Sequence, residues 1–241
     1  MEKTCLLVMG GAVQNTAALA KAVAKADYVV AADSGARHLL ALDLQPDLLM
    51  GDMDSITNAD FDQLSASSCR IKRFPSAKDD TDGALILKEA IALGYRSIEL
   101  WGALGGRPDH YYANLMLLLL AETEIARSTA SSVPQVQQKV RPYDIKIKDG
   151  GVAIYLPVRG QEIIGQPGDV ISLFALGEPV TGFKNRGLKY QPPGDCYMMN
   201  EPLGISNELV GNSAWLDWST GKLLCMHISI DKKLEETSYD K

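Results

Sequence analysis

The sequence has no long hydrophobic run. Its longest apolar stretch, residues 115–121, is far shorter than the roughly 20 residues that a membrane-spanning helix needs. Before Gly10-Gly11 the chain offers only six consecutive apolar or small residues, positions 4–9, which is too short for the apolar region of a signal peptide. We therefore expect a cytoplasmic protein with no membrane segment.

Positive charge is also in short supply. The chain has 24 Lys and Arg residues against 30 Asp and Glu residues, a formal net charge of −6, and it has no basic tract. A protein without an overall positive field does not attract the phosphate backbone of nucleic acid. We expect no nucleic-acid partner.

Cysteine and histidine are too few and too scattered for a zinc site. The four cysteines, Cys5, Cys69, Cys196 and Cys225, form no C-x-x-C pair, and the chain has three histidines. The same spacing argues against a disulfide framework. Free thiols in a reducing compartment are the expected state.

The first half of the chain alternates between short apolar runs and helical patterns. An apolar fraction of 46% over 241 residues is that of a globular protein with room for two domains. Strand patterns cover residues 5–9, 28–32, 48–50, 70–74 and 97–101, and helical patterns cover 16–25, 36–42, 58–64, 81–93 and 109–122. This alternation predicts an α/β domain with an open, mostly parallel, Rossmann-like sheet and helices on both faces. Ligands of such sheets bind beyond the carboxyl ends of the strands.

The second half of the chain has a different pattern of apolar residues and turns. Short β-type runs at 143–147, 152–156, 169–175 and 223–230 are separated by glycine and proline, a pattern typical of a small antiparallel sandwich or barrel. The polar stretch between the halves indicates a linker. We therefore predict an α/β domain over 1–127, a linker over 128–140, and a C-terminal all-β domain over 141–241.

An acidic pair follows the third apolar run. Asp52 and Asp54 flank Met53 directly after the run, and continued strand geometry would send both carboxylates to the same side. Two carboxylates at such a short separation repel each other unless a cation lies between them. Magnesium accepts such oxygen ligands and completes its shell with water and phosphate. For such a pair alone, a solvated turn with acidic caps is the favoured interpretation.

Other acidic residues occupy equivalent positions. Asp33, Asp52, Asp54, Asp82 and Asp109 each follow a predicted strand or open the next helix. Because the carboxyl ends of parallel strands share one edge of a sheet, these carboxylates should converge there. Asp52, Asp54 and Asp82 are the predicted metal ligands.

Glycine-rich loops and two cations accompany the acidic residues. Gly10-Gly11 precedes a helix and can bring backbone N–H groups close to phosphate. The segment 78–82, KDDTD, combines the cation Lys78 with a helix start at Thr81, although acidic residues in a first helical turn also simply favour the helix dipole. In the second glycine loop, 102–106, the guanidinium of the following Arg107 can clamp a phosphate.

These segments resemble the motifs of the thiamine pyrophosphokinase family. The resemblance rests on DSG at 33–35, GDMDS at 51–55, DDTD at 79–82, GGRPDH at 105–110, GLKY at 187–190 and GISNE at 204–208. It implies transfer of the pyrophosphoryl group of ATP to the hydroxyl of thiamine, giving thiamine diphosphate and AMP. It also implies a homodimer in which the C-terminal domain of one subunit completes the thiamine site of the other.

The resemblance assigns provisional roles to individual residues. Asp52, Asp54 and Asp82 would hold one or two Mg²⁺ ions, with Asp54 or Asp82 accepting the alcohol proton. Lys78 and Arg107 would neutralise developing charge. The residues expected to bind ATP or thiamine are Gly10, Gly11, Asp33, Ser34, Lys78, Thr81, Arg107, Asp109, Ser206 and Asn207.

Two features of the second half leave alternatives open. Ser206 and Asn207 can hydrogen-bond an aminopyrimidine, but the same residues also cap ordinary turns. Animal members of the family carry a tryptophan near the last strand, and residues 222–227 here have no aromatic side chain. Trp215, Trp218 and Phe183 are the remaining candidates for stacking on the thiazolium.

Two other functions fit parts of the pattern. A phosphohydrolase would use Asp52 as nucleophile and Asp54 as acid, and would form a phosphoenzyme. A nucleotide sensor without catalytic activity would need the glycine loops but not a dense group of carboxylates.

Overall fold

The computed structural model describes residues 3–75, 80–129 and 143–230. These residues divide into two compact units. Of these residues, the first unit contains 3–75, 80–129 and 143–150, and the second contains 151–230.

The first unit is built on a parallel sheet. Its strands are β1 (Thr4–Val8), β2 (Tyr28–Ala32), β3 (Leu48–Gly51), β4 (Arg70–Arg73), β5 (Ser97–Trp101) and β6 (Asp144–Asp149). They lie in the order β6-β5-β1-β2-β3-β4, and every neighbouring pair is parallel. The connection order reverses between β1 and β5, so the loops after these two strands flank the crevice where open α/β sheets bind ligands.

Helices cover both faces of this sheet, as the sequence predicted. They are α1 (Thr16–Val23), α2 (Ala36–Leu40), α3 (Asn58–Ser65), α4 (Asp82–Ala92) and α5 (Pro108–Thr129). On one face, Leu19, Leu39 and Leu64 of α1, α2 and α3 pack against alternate strand residues such as Leu6 and Val8. Helix α4 packs on β1, β2, β3 and α5. In β1, β2 and β3 the residues of opposite parity, such as Leu7, Val30 and Met50, are also buried, as expected for parallel strands covered on both sides.

Side-chain caps define where three of the helices begin. Asn15, Thr57 and Thr81 each accept a backbone N–H from the first turn of α1, α3 and α4 respectively. Each such cap satisfies a donor that has no partner inside the helix. The predicted cap at Thr81 is confirmed, and Gly94, with φ of +92°, follows the end of α4.

The structure places the boundary between the units later than the predicted linker. Helix α5 continues to Thr129, beyond the predicted end at residue 122, and Ile125 in this extension is buried. Residues 130–142 lie outside the described part of the chain. Strand β6, expected in the C-terminal domain, pairs in parallel with β5 and therefore belongs to the first unit.

The second unit is all β. Its strands are β7 (Val152–Tyr155), β8 (Gln161–Ile164), β9 (Val170–Ala175), β10 (Val180–Thr181), β11 (Lys184–Arg186), β12 (Cys196–Tyr197), β13 (Asn207–Glu208), β14 (Ser213–Asp217) and β15 (Leu223–Ile228). Antiparallel pairing gives the orders β13-β9-β15-β7, β11-β14-β8 and β10-β12. Side chains from the first two sheets meet in one core that includes Leu173, Leu216 and Phe183. The predicted antiparallel C-terminal domain is confirmed.

The cysteines are free thiols, as expected. Cys5 and Cys225 are buried, whereas Cys69 and Cys196 are partly exposed. Among the described helices, none combines the length and the apolar composition needed to cross a membrane.

Candidate functional site

Three carboxylates meet at the carboxyl edge of the parallel sheet. Oxygen atoms of Asp33, Asp52 and Asp54 all lie within 4.8 Å of one another. Asp33 follows β2 directly, and the other two follow β3, its neighbour in the sheet. Strand adjacency therefore assembles this group, called here the acidic trio, from positions about 20 residues apart in the sequence.

A turn, rather than strand alternation, brings Asp52 and Asp54 together. Strand β3 ends at Gly51, and Met53 adopts a φ of +68°. The backbone N–H of Asp54 then points back to Asp52 Oδ1 at 3.4 Å, and Ser55 Oγ donates to Asp54 Oδ1 at 2.8 Å. The expected convergence occurs, but the expectation that an extended strand produces it is wrong, because the chain leaves the strand before the first carboxylate.

Asp33 is buried with an unsatisfied oxygen. Asp33 is 2% exposed, and its Oδ2 accepts a hydrogen bond from the Ser55 N–H at 3.1 Å. Its Oδ1 is also buried and accepts no hydrogen bond from the described residues. Burial is the largest cause that raises the pKa of Asp33, to about 6. The Ser55 N–H bond lowers this pKa, whereas a bond with the Asp54 carboxyl and the negative charges of Asp82 and Asp54 raise it. A buried carboxylate oxygen with no donor is suited to a cation.

Gly51 permits the close approach of β2 and β3 at this point. A Cβ on Gly51 would lie 2.8 Å from Asp33 Cβ, closer than two carbon atoms pack. Any side chain there would displace Asp33 from the acidic trio. The glycine in this motif is therefore a packing requirement of the site.

A cavity of about 700 Å³ opens beside the acidic trio. Its lining joins the loops that follow β1, β2 and β5 to the first turns of α4 and α5. The sequence-predicted residues that line it are Gly10, Gly11, Asp33, Ser34, Thr81, Asp82, Arg107 and Asp109.

The backbones of the two glycine loops are in contact where the strand order reverses, between β1 and β5. Gly11 N donates to Gly102 O at 2.9 Å, and Met9 N donates to Trp101 O at 2.8 Å. A Cβ on Gly11 would overlap Gly102 O, and a Cβ on Gly102 would overlap Met9 O. Glycine at both positions therefore allows the backbones of the two loops to pack directly against each other.

Arg107 and Asp109 form an ion pair at the rim of this cavity. Arg107 Nη2 donates to Asp109 Oδ2 at 2.6 Å, and Nε donates to Oδ1 at 3.2 Å. Bonding to this guanidinium lowers the pKa of Asp109 to about 2. The side chains are 72% and 62% exposed, so the pair contributes little to stability and its members are accessible to a ligand.

The start of α4 supplies more charge to the same cavity. Asp82, in the first turn, lies outside the acidic trio, although its charge raises the pKa of Asp33. Asp80 bonds to Lys88 Nζ through both carboxylate oxygens, at 2.9 and 2.7 Å. Lys78 lies outside the described residues, so its predicted role stays a prediction.

Asn207 is held by the backbone of the second unit. Asn207 is buried. Its Oδ1 accepts hydrogen bonds from the N–H groups of Tyr190 and Glu208, and its Nδ2 donates to Tyr190 O. This is the turn-capping arrangement that the sequence left open. Ser206 is exposed, has a φ of +58°, and donates its N–H to Ser172 Oγ.

The three aromatic candidates differ in their accessibility. Phe183 and Trp218 are core residues, so neither offers a face to a ligand. Trp215 is partly exposed, but the Arg186 guanidinium lies 4.8 Å from the centre of its ring. In the described conformation, Trp215 stacks on a cation of its own chain.

Sequence reasoning missed several polar residues of the first unit. Ser55 bonds two members of the acidic trio, and its position next to Asp54 was an available signal. Arg37 and His38 bond to the carbonyls of Gly10 and Gly11. No spacing rule links these side chains to a loop 27 positions earlier in the chain.

Comparisons with known proteins agree with this arrangement. Residues 19–127 match the model of the family described as "Thiamin pyrophosphokinase, catalytic domain", and residues 159–223 match "Thiamin pyrophosphokinase, vitamin B1 binding domain". Together the two matches cover more than half of the chain, and each lies mainly within one of the two units.

Individual relatives carry the same name. The thiamine pyrophosphokinase of Bacillus subtilis is 25% identical over 81% of this chain and 84% of its own. The crystal structure of that protein has a TM-score of 0.76 at 22% identity, over 95% of this chain and 100% of that one. The yeast enzyme has a TM-score of 0.74 at 16% identity, over 97% and 89% of the two chains. The chain therefore belongs to the thiamin pyrophosphokinase family.

Proposed function

We propose that the acidic trio, with Asp82 beside it, holds magnesium where ATP gives its pyrophosphoryl group to thiamine. As a family member the chain is an ATP:thiamine diphosphotransferase, with thiamine diphosphate and AMP as products. The observation that carries the proposal is the buried Asp33 Oδ1, which has no donor among the described residues, in a residue whose carboxylate is grouped with those of Asp52 and Asp54. An all-oxygen ligand set of this kind fits Mg²⁺.

Magnesium held by Asp33, Asp52 and Asp54 would neutralise negative charge on the phosphates during transfer. The protein's own residues do the positioning. The Ser55 N–H holds Asp33, and the Ser55 hydroxyl holds Asp54, so that both carboxylates are fixed before substrate binds. Such preorganisation lowers the barrier because no reorientation is needed during the reaction.

Arg107 is proposed to bind the phosphate chain from the opposite rim. Its guanidinium is bidentate to Asp109, which fixes its direction while leaving other N–H groups for an anion. Lys78 is proposed to act with it. Asp54 or Asp82 is proposed to accept the proton of the thiamine hydroxyl, since Asp54 belongs to the acidic trio and Asp82 lines the cavity.

The nucleotide is proposed to bind where the strand order reverses between β1 and β5, against Gly10, Gly11 and the 102–106 loop. Ser34 and Thr81 line the same cavity. A volume of about 700 Å³ is within the range of small-molecule sites. The ATP phosphates would then extend toward the acidic trio.

The second unit is proposed to bind thiamine in a homodimer with shared sites. Ser206 is exposed and can contact the pyrimidine, whereas the buried Asn207 fixes the turn that presents it. Exposed apolar side chains cluster in the same stretch of sequence, namely Met198, Met199, Leu203, Ile205 and Val210. Such a concentration is typical of an association surface.

A cytoplasmic location remains part of the proposal. It is supported by four cysteines that form no disulfide although two of them are partly exposed, as expected in a reducing compartment.

Product analysis tests the proposed function. The protein is incubated with ATP, Mg²⁺ and thiamine, and ³¹P NMR follows the phosphorus species. We expect AMP and thiamine diphosphate in equal amounts, with AMP release dependent on thiamine. Release of orthophosphate would indicate the phosphohydrolase, and absence of any product would indicate the nucleotide sensor.

A further inference from the structure

The loop between β1 and α1, residues 10–15, is fixed by side chains from outside it. Arg37 Nη2 donates to Gly10 O at 2.5 Å, and His38 Nε2 lies 2.7 Å from Gly11 O. Because a carbonyl oxygen only accepts, the His38 ring must carry its hydrogen on Nε2 in this contact. Both side chains belong to α2, which follows the next strand of the sheet.

The far end of the loop is held by a buried carboxylate. Asp149, the last residue of β6, is 4% exposed. Its two oxygens accept the Gln14 N–H at 3.1 and 2.9 Å, and Oδ1 lies 3.3 Å from the Asn15 N. The loop is thus bonded at both ends to elements that are distant in sequence.

Fixing the two carbonyls also fixes the amides that follow them. All peptide bonds described are trans, so each N–H points away from the carbonyl of the same peptide plane. The Gly11 N–H is directed to Gly102 O. The Ala12 N–H, opposite the His38 contact, has no hydrogen-bond partner among the described residues, and Ala12 is exposed.

We propose that Arg37 and His38 are positioning residues for ATP, which hold the Gly10-Gly11 turn so that the Ala12 N–H at its end is presented to the phosphates. The proposal rests on the function proposed above, because it assigns this turn to the nucleotide. Neither side chain lines the cavity, so each acts through the loop and not by touching the substrate. Without these two contacts the glycine turn would sample conformations that direct the Ala12 N–H elsewhere.

The test compares His38→Ala with His38→Gln in the full-length protein. Gln places an N–H donor near the position of Nε2, whereas Ala removes it. We expect His38→Ala to raise the KM for ATP roughly three- to tenfold, the effect of one lost hydrogen bond. The kcat and the KM for thiamine should change less than twofold, and His38→Gln should restore most of the ATP affinity.

Arg37→Ala should raise the KM for ATP in the same way. Arg127→Ala is the matched control, because Arg127 is an exposed arginine on α5 that bonds only to Glu124 among the described residues. Its KM for ATP should equal that of the wild type. Calorimetric titration with α,β-methylene ATP, in which the bond that breaks is blocked, should rank the four variants in the same order.

Three results would overturn the inference. They are an unchanged KM for ATP in both His38→Ala and Arg37→Ala, an equal loss in His38→Ala and His38→Gln, or an equal rise in both Michaelis constants. Failure of the proposed function is distinguishable, since the wild-type protein itself would then form no thiamine diphosphate. If His38→Ala does not fold, Arg37→Ala and His38→Gln still decide the question.

Discussion

Within the acidic trio, Asp54 is exposed and Asp33 is buried. An exposed carboxylate contributes little to stability, whereas a buried carboxylate with one unsatisfied oxygen opposes folding when it is ionised. Substitutions at the two positions should therefore affect the enzyme in different ways. Both remove a proposed magnesium ligand, but only one relieves a buried charge.

Asp54→Asn is expected to lower kcat by about 10² to 10³-fold, because one charged ligand for the phosphate-bound cation is lost. The melting temperature should stay the same or rise, since one of three repelling carboxylates is removed. Steady-state kinetics and calorimetry measure the two quantities. Asp62→Asn, an exposed position on α3, is the control and should change neither. Near-normal turnover in Asp54→Asn would remove that residue from catalysis.

Asp33→Asn is expected to stabilise the metal-free protein in a pH-dependent way. Because the pKa of Asp33 is raised to about 6 in the folded state, the wild type loses stability as the pH rises from about 4 through 6. The variant, which cannot ionise there, should gain up to about 3 kcal/mol in free energy of unfolding relative to the wild type above pH 7.

Denaturant unfolding in chelator at pH 4 and pH 7.5 measures this difference. Added Mg²⁺ should stabilise the wild type and leave Asp33→Asn nearly unaffected. An equal difference in unfolding free energy at both pH values would contradict the assigned burial of an ionisable Asp33.

The convergence of acidic residues was predictable from their positions after strands, but their detailed geometry was not. The turn at Met53, with its positive φ, depends on packing between β2 and β3 that no residue pattern encodes. The contacts of Arg37 and His38 also depend on tertiary structure, because they join α2 to the loop before α1. Asp82 was grouped with the metal ligands from its helix-start position, which fixes its element but not its distance from the trio.

At the scale of elements, α4 connects stability to the site. Its cap, Thr81 Oγ1, accepts Ala84 N at 3.2 Å and fixes the first turn, which contains Asp82. Thr57 caps α3 with the same geometry, accepting Asp60 N at 3.1 Å. The chain thus offers two similar caps, of which only one begins a helix at the cavity.

Thr81→Ala and Thr57→Ala are each expected to cost about 1 kcal/mol of stability, the typical value of a helix cap. Only Thr81→Ala should also lower kcat/KM, because it loosens the turn that carries Asp82. Thr81→Ser should restore both properties. Thermal unfolding and steady-state kinetics measure these effects. Equal activity in Thr81→Ala and Thr57→Ala would mean that the position of Asp82 is unimportant for the reaction.

Most elements could be predicted from the sequence because their patterns are strong. β2 and β5 occupy the predicted residues, and the other elements of the first half differ mainly at their ends. The boundary between the units was missed because β6 alternates like a strand of an antiparallel sheet, with every second residue buried. Its parallel pairing with β5 is a long-range contact that the local pattern does not contain.

For the whole molecule, the proposed dimer with shared sites makes a distinctive prediction. Asp54→Asn should disable the proposed catalytic site of the first unit, and Ser206→Arg should block the proposed thiamine contact on the second. A mixed dimer of the two inactive variants, isolated through two different affinity tags, should regain about half of the wild-type activity, because one of its two sites is intact.

A mixed dimer as inactive as its parents would contradict sharing of the sites. Failure to isolate any mixed dimer, together with a monomeric mass by light scattering, would contradict the dimer itself. Substantial activity in Ser206→Arg alone would remove Ser206 from the thiamine site.

The binding of a divalent ion to the acidic trio tests the central claim most directly. Mn²⁺, which replaces Mg²⁺ and is visible by electron paramagnetic resonance, is titrated into the protein with α,β-methylene ATP present. We predict stoichiometric binding by the wild type and by Asp62→Asn, and weakening by at least about tenfold in Asp33→Asn and in Asp54→Asn. Unchanged Mn²⁺ affinity in both trio variants would contradict the account.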